Sequence, residues 1–171
     1  LRVRGYQQII SINTPPWRDL ETLTEELAKR VAELRINLKV DKVTLIGHSM
    51  GGMIARNYIQ NRGGAAYVHG MITLGTPHHG SKLAPFALSP MGKMLLPSSK
   101  FLNQFNSISW PQETPAISIY TRYDNIVLPA ESAKKELTVN FECCTEPVLR
   151  RFFQAVLPIL CDCFDKVIVA V

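Results

Sequence analysis

The chain has 171 residues, 46% hydrophobic and 19% charged, enough to bury one substantial core and too apolar for a disordered or fibrous protein. Its formal charge of +5 is carried by scattered lysines and arginines with no basic tract among aromatics. This argues against nucleic acid as a partner and allows only weak, transient contact with an anionic lipid surface. No apolar run approaches the ~18 residues of a membrane span, and no charged-then-apolar leader opens the chain.

In chain order, residues 6–12 (YQQIISI) read as a short strand ended by Asn13-Thr14-Pro15-Pro16. A helix is predicted over about 19–37. Leu20, Leu23, Leu27, Val31 and Leu34 recur at three- and four-residue spacing, with glutamates, lysine and arginine on the other face. Residues 43–46 form an apolar strand that runs straight into Gly47-His48-Ser49-Met50-Gly51-Gly52. A Gly-x-Ser-x-Gly between a strand and a helix is the pattern of a nucleophile elbow. The turn strains the serine backbone and brings the residues two before and two after it together, so both must lack side chains. Gly47 and Gly51 stand at those positions. The elbow lifts the Ser49 hydroxyl clear of the sheet and offers the Met50 N–H to a developing oxyanion. Met53, Ile54, Ala55, Tyr58 and Ile59 make one face of the helix that follows, and Arg62-Gly63-Gly64 closes it.

Residues 68–74 are the next strand, with the loop Gly75-Thr76-Pro77-His78-His79-Gly80-Ser81 after it. Residues 82–111 break the rhythm. They are rich in Leu, Phe, Met, Pro and Ser, with weak helical segments at 84–94 and 101–108. Residues 116–120 (AISIY) are a strand leading into Thr121-Arg122-Tyr123-Asp124-Asn125. Residues 148–160 carry an apolar helical face, and Cys143, Cys144, Cys161 and Cys163 match no zinc spacing and read as buried free thiols. Strands alternating with helices imply a mostly parallel sheet, with ligands beyond the carboxyl ends of its strands. Ser49, the His78–His79 loop and Asp124 all follow strands and share that edge. A serine nucleophile needs a base, and the base an orienting acid. Asp124 suits the acid's place, and equally a turn aspartate that bonds its own backbone.

Three linked motifs, GHSMGG, TLGTPHHGS and YTRYDNIVLPAESA, resemble the lipase/esterase branch of the α/β-hydrolase superfamily, nearest to bacterial triacylglycerol-lipase-like and PGAP-like acyl hydrolases. The likeness covers about residues 6–133. It implies an α/β-hydrolase core as a single, partial domain over 1–171, lacking the first strands of the full fold. It also implies Ser49 as nucleophile, Asp124 as triad acid, Met50 as oxyanion donor, and Ile126, Val127 and Pro129 as the segment that fixes the acid's turn. Residues 82–111 become the cap or lid, which an apolar, mobile composition suits. The activity implied is hydrolysis of lipid-like or medium-chain acyl esters through an acyl-serine, with no metal or organic cofactor. Two adjacent histidines without a matched carboxylate make a poor metal site.

The family order is serine, acid, then histidine. Here all four histidines, at 48, 69, 78 and 79, precede Asp124, and residues 139–171 diverge from the pattern. The loop that donates the second oxyanion N–H would lie ahead of residue 6. Three readings follow: a piece of a longer active enzyme, which accounts for both ends; a decayed homologue that binds an acyl chain or a protein; or a displaced base, His78 or His79. His48 reads as pocket wall and His69 as structural. Acyl transfer is the neighbouring chemistry, separated from hydrolysis by water access to the intermediate. Oligomeric state and compartment are open.

Overall fold

A computed structural model describes residues 8–12, 18–86, 92–134, 139–142 and 167–171. Six parallel strands form one sheet in the order β1-β6-β2-β3-β4-β5. They are β1 (Gln8–Ser11), β2 (Val43–His48), β3 (Val68–Leu74), β4 (Ala116–Tyr120), β5 (Val139–Glu142) and β6 (Val167–Ala170). The helices are α1 (Leu20–Leu38), α2 (Met50–Asn61) and α3 (Lys100–Ser107). The protein is α/β, with helices packed on a parallel sheet as the alternation of elements implied.

Why these residues form these elements is visible at their ends. Asp19 caps α1, its carboxylate accepting from the Thr22 N–H and hydroxyl at 2.8 Å each. Lys39, at φ 54°, ends the helix in a left-handed turn. All five apolar positions predicted to line α1 are buried, and so are the five on α2. Central strands β2 and β4 are buried along almost their whole length, which explains their continuous apolar character. The two helices are joined by a buried polar contact, Asn57 Nδ2 donating to Thr24 Oγ1 at 2.9 Å.

Three departures from the sequence reading are physical. First, residues 139–142 and 167–170 are strands, although neither was predicted as one. Each has only four residues, too short for a periodicity to register. β6 takes the interior slot between β1 and β2, pairing Thr44 with Ile168 and Ile46 with Ala170. Second, the described ends of the segment expected to be helical at 84–94 form short 3-10 turns, Ala84–Phe86 and Lys93–Leu95.

Third, the later part of the 82–111 segment packs into the core. Leu95, Leu102, Phe105 and Trp110 join the main hydrophobic cluster. On α2, the Arg56 guanidinium stacks 4.3 Å from the Phe105 ring centre and donates to the Phe105 carbonyl at 3.2 Å. Gln60 Nε2 donates to the Ile108 carbonyl at 2.7 Å, so α2 side chains satisfy carbonyls at the end of α3. Burial without a carboxylate partner among the described residues pushes the Arg56 guanidinium down to about 10. Exposed apolar side chains of the segment, led by Phe86, concentrate in its first half. The helix predicted at 148–160 and the four cysteines lie outside the described residues.

Candidate active site

Because every strand pair is parallel, the loops after β2, β3 and β4 leave the same edge of the sheet. Two backbone bonds draw those loops together, and a third closes the loop after β4. The Ser49 N–H donates to Leu74 O at 2.9 Å, the Gly75 N–H to Ile119 O at 2.8 Å, and the Asp124 N–H to Thr121 O at 3.2 Å. Ser49 and Asp124 are thus tied to adjoining strand ends.

Ser49 has φ 50° and ψ −116°, a region in which L side chains are strained and glycine is not. It stands between the last residue of β2 and the first of α2. A Cβ on Gly47 would lie 2.4 Å from Gly52 Cα and 2.8 Å from Gly51 C, so the elbow closes only on a bare glycine. Gly51 is needed for a different reason than the crowding expected: its Cβ would meet the Val171 carbonyl oxygen at 2.1 Å. That carbonyl, just beyond β6, also accepts from the His48 N–H at 3.1 Å. The strand absent from the sequence reading therefore buttresses the elbow. His48 itself is exposed. Met50, first residue of α2, has an N–H among those a helix start leaves without intrahelical partners.

Of the two readings the sequence left open for Asp124, the turn-forming one is visible in its hydrogen bonds. Its Oδ1 accepts from the N–H groups of Ile126 at 2.8 Å and Val127 at 3.0 Å, the turn-forming role. Its Oδ2 faces Gly75, 3.2 Å from where a Cβ would stand, and Gly75 has φ 52°. One oxygen thus holds the turn while the other is directed at the loop after β3.

The paired histidines part company. His78 is fully buried, its Nε2 3.1 Å from Thr73 Oγ1. Thr73 Oγ1 lies 2.8 Å from Ser118 Oγ, which donates to the Ala133 carbonyl at 2.9 Å. The Thr73 hydroxyl also donates to the Ile117 carbonyl at 3.4 Å, so it sits among His78, Ser118 and that carbonyl. His79 is half-buried, its N–H donating to Ser132 O at 2.9 Å. Its Nδ1 lies 3.4 Å from Asn106 Nδ2, on α3. His69 lies on β3.

A cavity of about 100 Å³ opens beside the elbow, lined by Ser49, Met50, Pro77, Ser81, Leu83, Ala84, Gly92, Leu95, Ile126 and Val127. Among the described residues, Ser49 and Ser81 are the only hydroxyls on this wall, and none of the four histidines lines it. The rest is apolar, a lining that accepts a hydrocarbon chain against the serine. Six of its residues come from the predicted acid-turn segment, Ile126 and Val127, and from the predicted cap, Leu83, Ala84, Gly92 and Leu95. No group of three His, Cys, Asp or Glu among the described residues could hold a metal ion.

Residues 7–125 match the palmitoyl protein thioesterase family. The chain belongs to that family. The match takes in the elbow, the His78–His79 loop and Asp124. Triacylglycerol lipase 2 of Saccharomyces cerevisiae is 30% identical over 128 residues, which is 71% of this chain and 37% of the yeast protein. The chain therefore spans little more than a third of that relative. Among solved structures, a Bacillus licheniformis lipase in its mature form superposes with a TM-score of 0.67 at 20% identity, covering 87% of this chain and 77% of the lipase. Aspergillus fumigatus lipase B gives 0.64 at 18% identity, over 77% of this chain and 36% of that one. These likenesses show the α/β-hydrolase fold of lipases.

Sequence reasoning missed Val171, whose carbonyl requires Gly51, and Thr76, whose hydroxyl requires Gly52. It also assigned no role to Ser81, although Ser81 closes a motif it singled out. No sequence signal marks the first two, because each is a contact between distant segments.

Proposed function

We propose that this chain carries the nucleophile and acid of a serine acyl hydrolase acting on lipid-like or medium-chain acyl esters. The observation that carries the proposal is the left-handed Ser49 backbone beside an apolar cavity. A strained serine with no chemical role would be exchanged for glycine at no loss. In the reaction, Ser49 Oγ attacks the acyl carbonyl carbon while its proton passes to a base. The oxygen that becomes negative is met by the Met50 N–H, where the field of the α2 N-terminus also favours an anion. Collapse expels the alcohol, which leaves with the proton the base has held. Water then attacks the acyl-serine by the same steps in reverse. The acyl chain occupies the cavity between Leu83, Leu95, Ile126 and Val127, away from water.

Asp124, through Oδ2, would orient an imidazole base. His78 is poorly suited to be that base, since it is fully buried with its Nε2 against Thr73 and is not among the residues that line the cavity. The family match supports thioesters as substrates beside oxygen esters, because the same acyl-serine forms from either and a thiolate is the better leaving group.

The test is labelling of the purified chain with a fluorophosphonate, with Ser49→Ala as control. Labelling that disappears in Ser49→Ala is the expected result, and the loss of labelling in Asp124→Asn would tie the acid to the same unit. A folded chain that takes up no probe overturns turnover by this chain alone and leaves two readings, a piece of a longer enzyme whose base lies elsewhere and an acyl-binding domain.

A further inference from the structure

We propose that Ser81 is a positioning residue, whose hydroxyl joins the Asp124 turn and the root of the 82–111 segment into one unit beside Ser49. The proposal rests on the acyl-hydrolase reading for its functional meaning, and its geometry stands separately. Ser81 is 4% exposed. Its hydroxyl donates to the Ile126 carbonyl at 2.5 Å and accepts from the N–H groups of Leu83 and Leu128, each at 3.1 Å. A serine hydroxyl has one proton and two acceptor sites, and here all three are used.

The backbone adds two further ties. The Ser81 N–H donates to Leu95 O, and the Lys82 N–H to Leu128 O, both at 2.8 Å. The Asp124 turn is consequently held from two sides. From within, Asp124 Oδ1 accepts from Ile126 and Val127. From across the loop, Ser81 takes the carbonyl of Ile126 and the N–H of Leu128. With Oδ1 and both ends of the turn held, Oδ2 keeps its direction toward Gly75. Leu83, Ile126 and Val127 also line the cavity, so the wall that receives an acyl chain and the turn that aims the carboxylate move together. Removing the hydroxyl takes the shared partner from two amides and a carbonyl at a part-buried place, and the turn then rotates to find new partners or water.

The experiment follows backbone amides by NMR in the full chain, with no need for turnover. In the native chain the Gly75 amide shift reports the Asp124 Oδ2 that faces it, and Asp124→Asn gives the shift of Gly75 without that carboxylate. In Ser81→Ala the Leu83 and Leu128 amides are expected to exchange about tenfold faster. The Gly75 amide shift is expected to move toward its Asp124→Asn position, while α1 amides keep their native shifts. Ser81→Thr, which retains the hydroxyl, is expected to restore the native Gly75 shift. A folded Ser81→Ala chain with a native Gly75 shift overturns the proposal. If Ser81→Ala does not fold, Ser81→Cys carries the comparison, and a native Gly75 shift in Ser81→Cys overturns it equally. Fluorophosphonate labelling is read on the same samples. An unlabelled native chain counts against the hydrolase reading, and the amide result still decides Ser81.

Discussion

The glycine at position 47 gives the sharpest test of the elbow. A methyl group there would stand 2.4 Å from Gly52 Cα, 2.5 Å from Gly52 N and 2.8 Å from Gly51 C. Ordinary contacts between such atoms need about 3.5 Å or more, so the structure must open by about 1 Å. No side chain can rotate away, because every atom struck is backbone. On one side β2 is pinned between β6 and β3, and on the other Ser49 is tied to Leu74. The upper part of the range for overpacking applies, about 2–3 kcal/mol. Gly63→Ala is the proper comparison. Its Cβ would meet nothing within 4 Å, and only its φ of 70° opposes a side chain, a penalty of about 1 kcal/mol. With a urea dependence of about 2 kcal/mol per molar, the midpoint falls by roughly 1–1.5 M in Gly47→Ala and about 0.5 M in Gly63→Ala. Far-UV circular dichroism in a urea series measures both, and fluorophosphonate labelling reports the elbow separately. Gly47→Ala is expected to lose labelling even in the folded population, because the turn that presents Ser49 has opened. A Gly47→Ala midpoint at or above that of Gly63→Ala would refute the steric argument and mean that the elbow yields freely.

The strain at Ser49 has its own signature. Ser49→Gly, free of a side chain at φ 50°, is expected to unfold at higher urea than Ser49→Ala, by about 1 kcal/mol; the reverse order would show an unstrained backbone. Burial pushes the Tyr58 phenol up to about 12. The unfolded phenol ionises first, near the ordinary value of about 10. The Tyr58 contribution is therefore intact below about pH 10 and is lost as pH climbs from there toward 12. Unfolding free energies across that interval are expected to fall less steeply in Tyr58→Phe, and identical slopes would contradict the buried phenol.

Much of this protein was legible in its order of residues, wherever the determining physics is local. The apolar stripe of α1, the buried runs of β2, β3 and β4 and the glycine-flanked serine all act within a few residues. Periodicity and turn chemistry report them directly. The likeness to lipases could be read for the same reason, since its motifs sit on single strand-to-loop junctions. Tertiary structure decided the remainder. β6 is four residues that any apolar run would imitate, and only pairing with β1 and β2 makes it an interior strand and gives Gly51 its neighbour. The 82–111 segment has the composition of a flap, yet Arg56 and Gln60, some fifty residues earlier, hold its last helix against the core. His78 and His79 are adjacent in sequence and look equivalent. Burial beneath Thr73 separates them, and that hydrogen-bond chain crosses three segments. The two oxygens of Asp124 differ because one serves its own turn while the other meets Gly75, on another strand's loop. Contacts between distant segments depend on how the sheet is stacked and on which neighbour fills each gap, and a pattern along the chain carries no record of either.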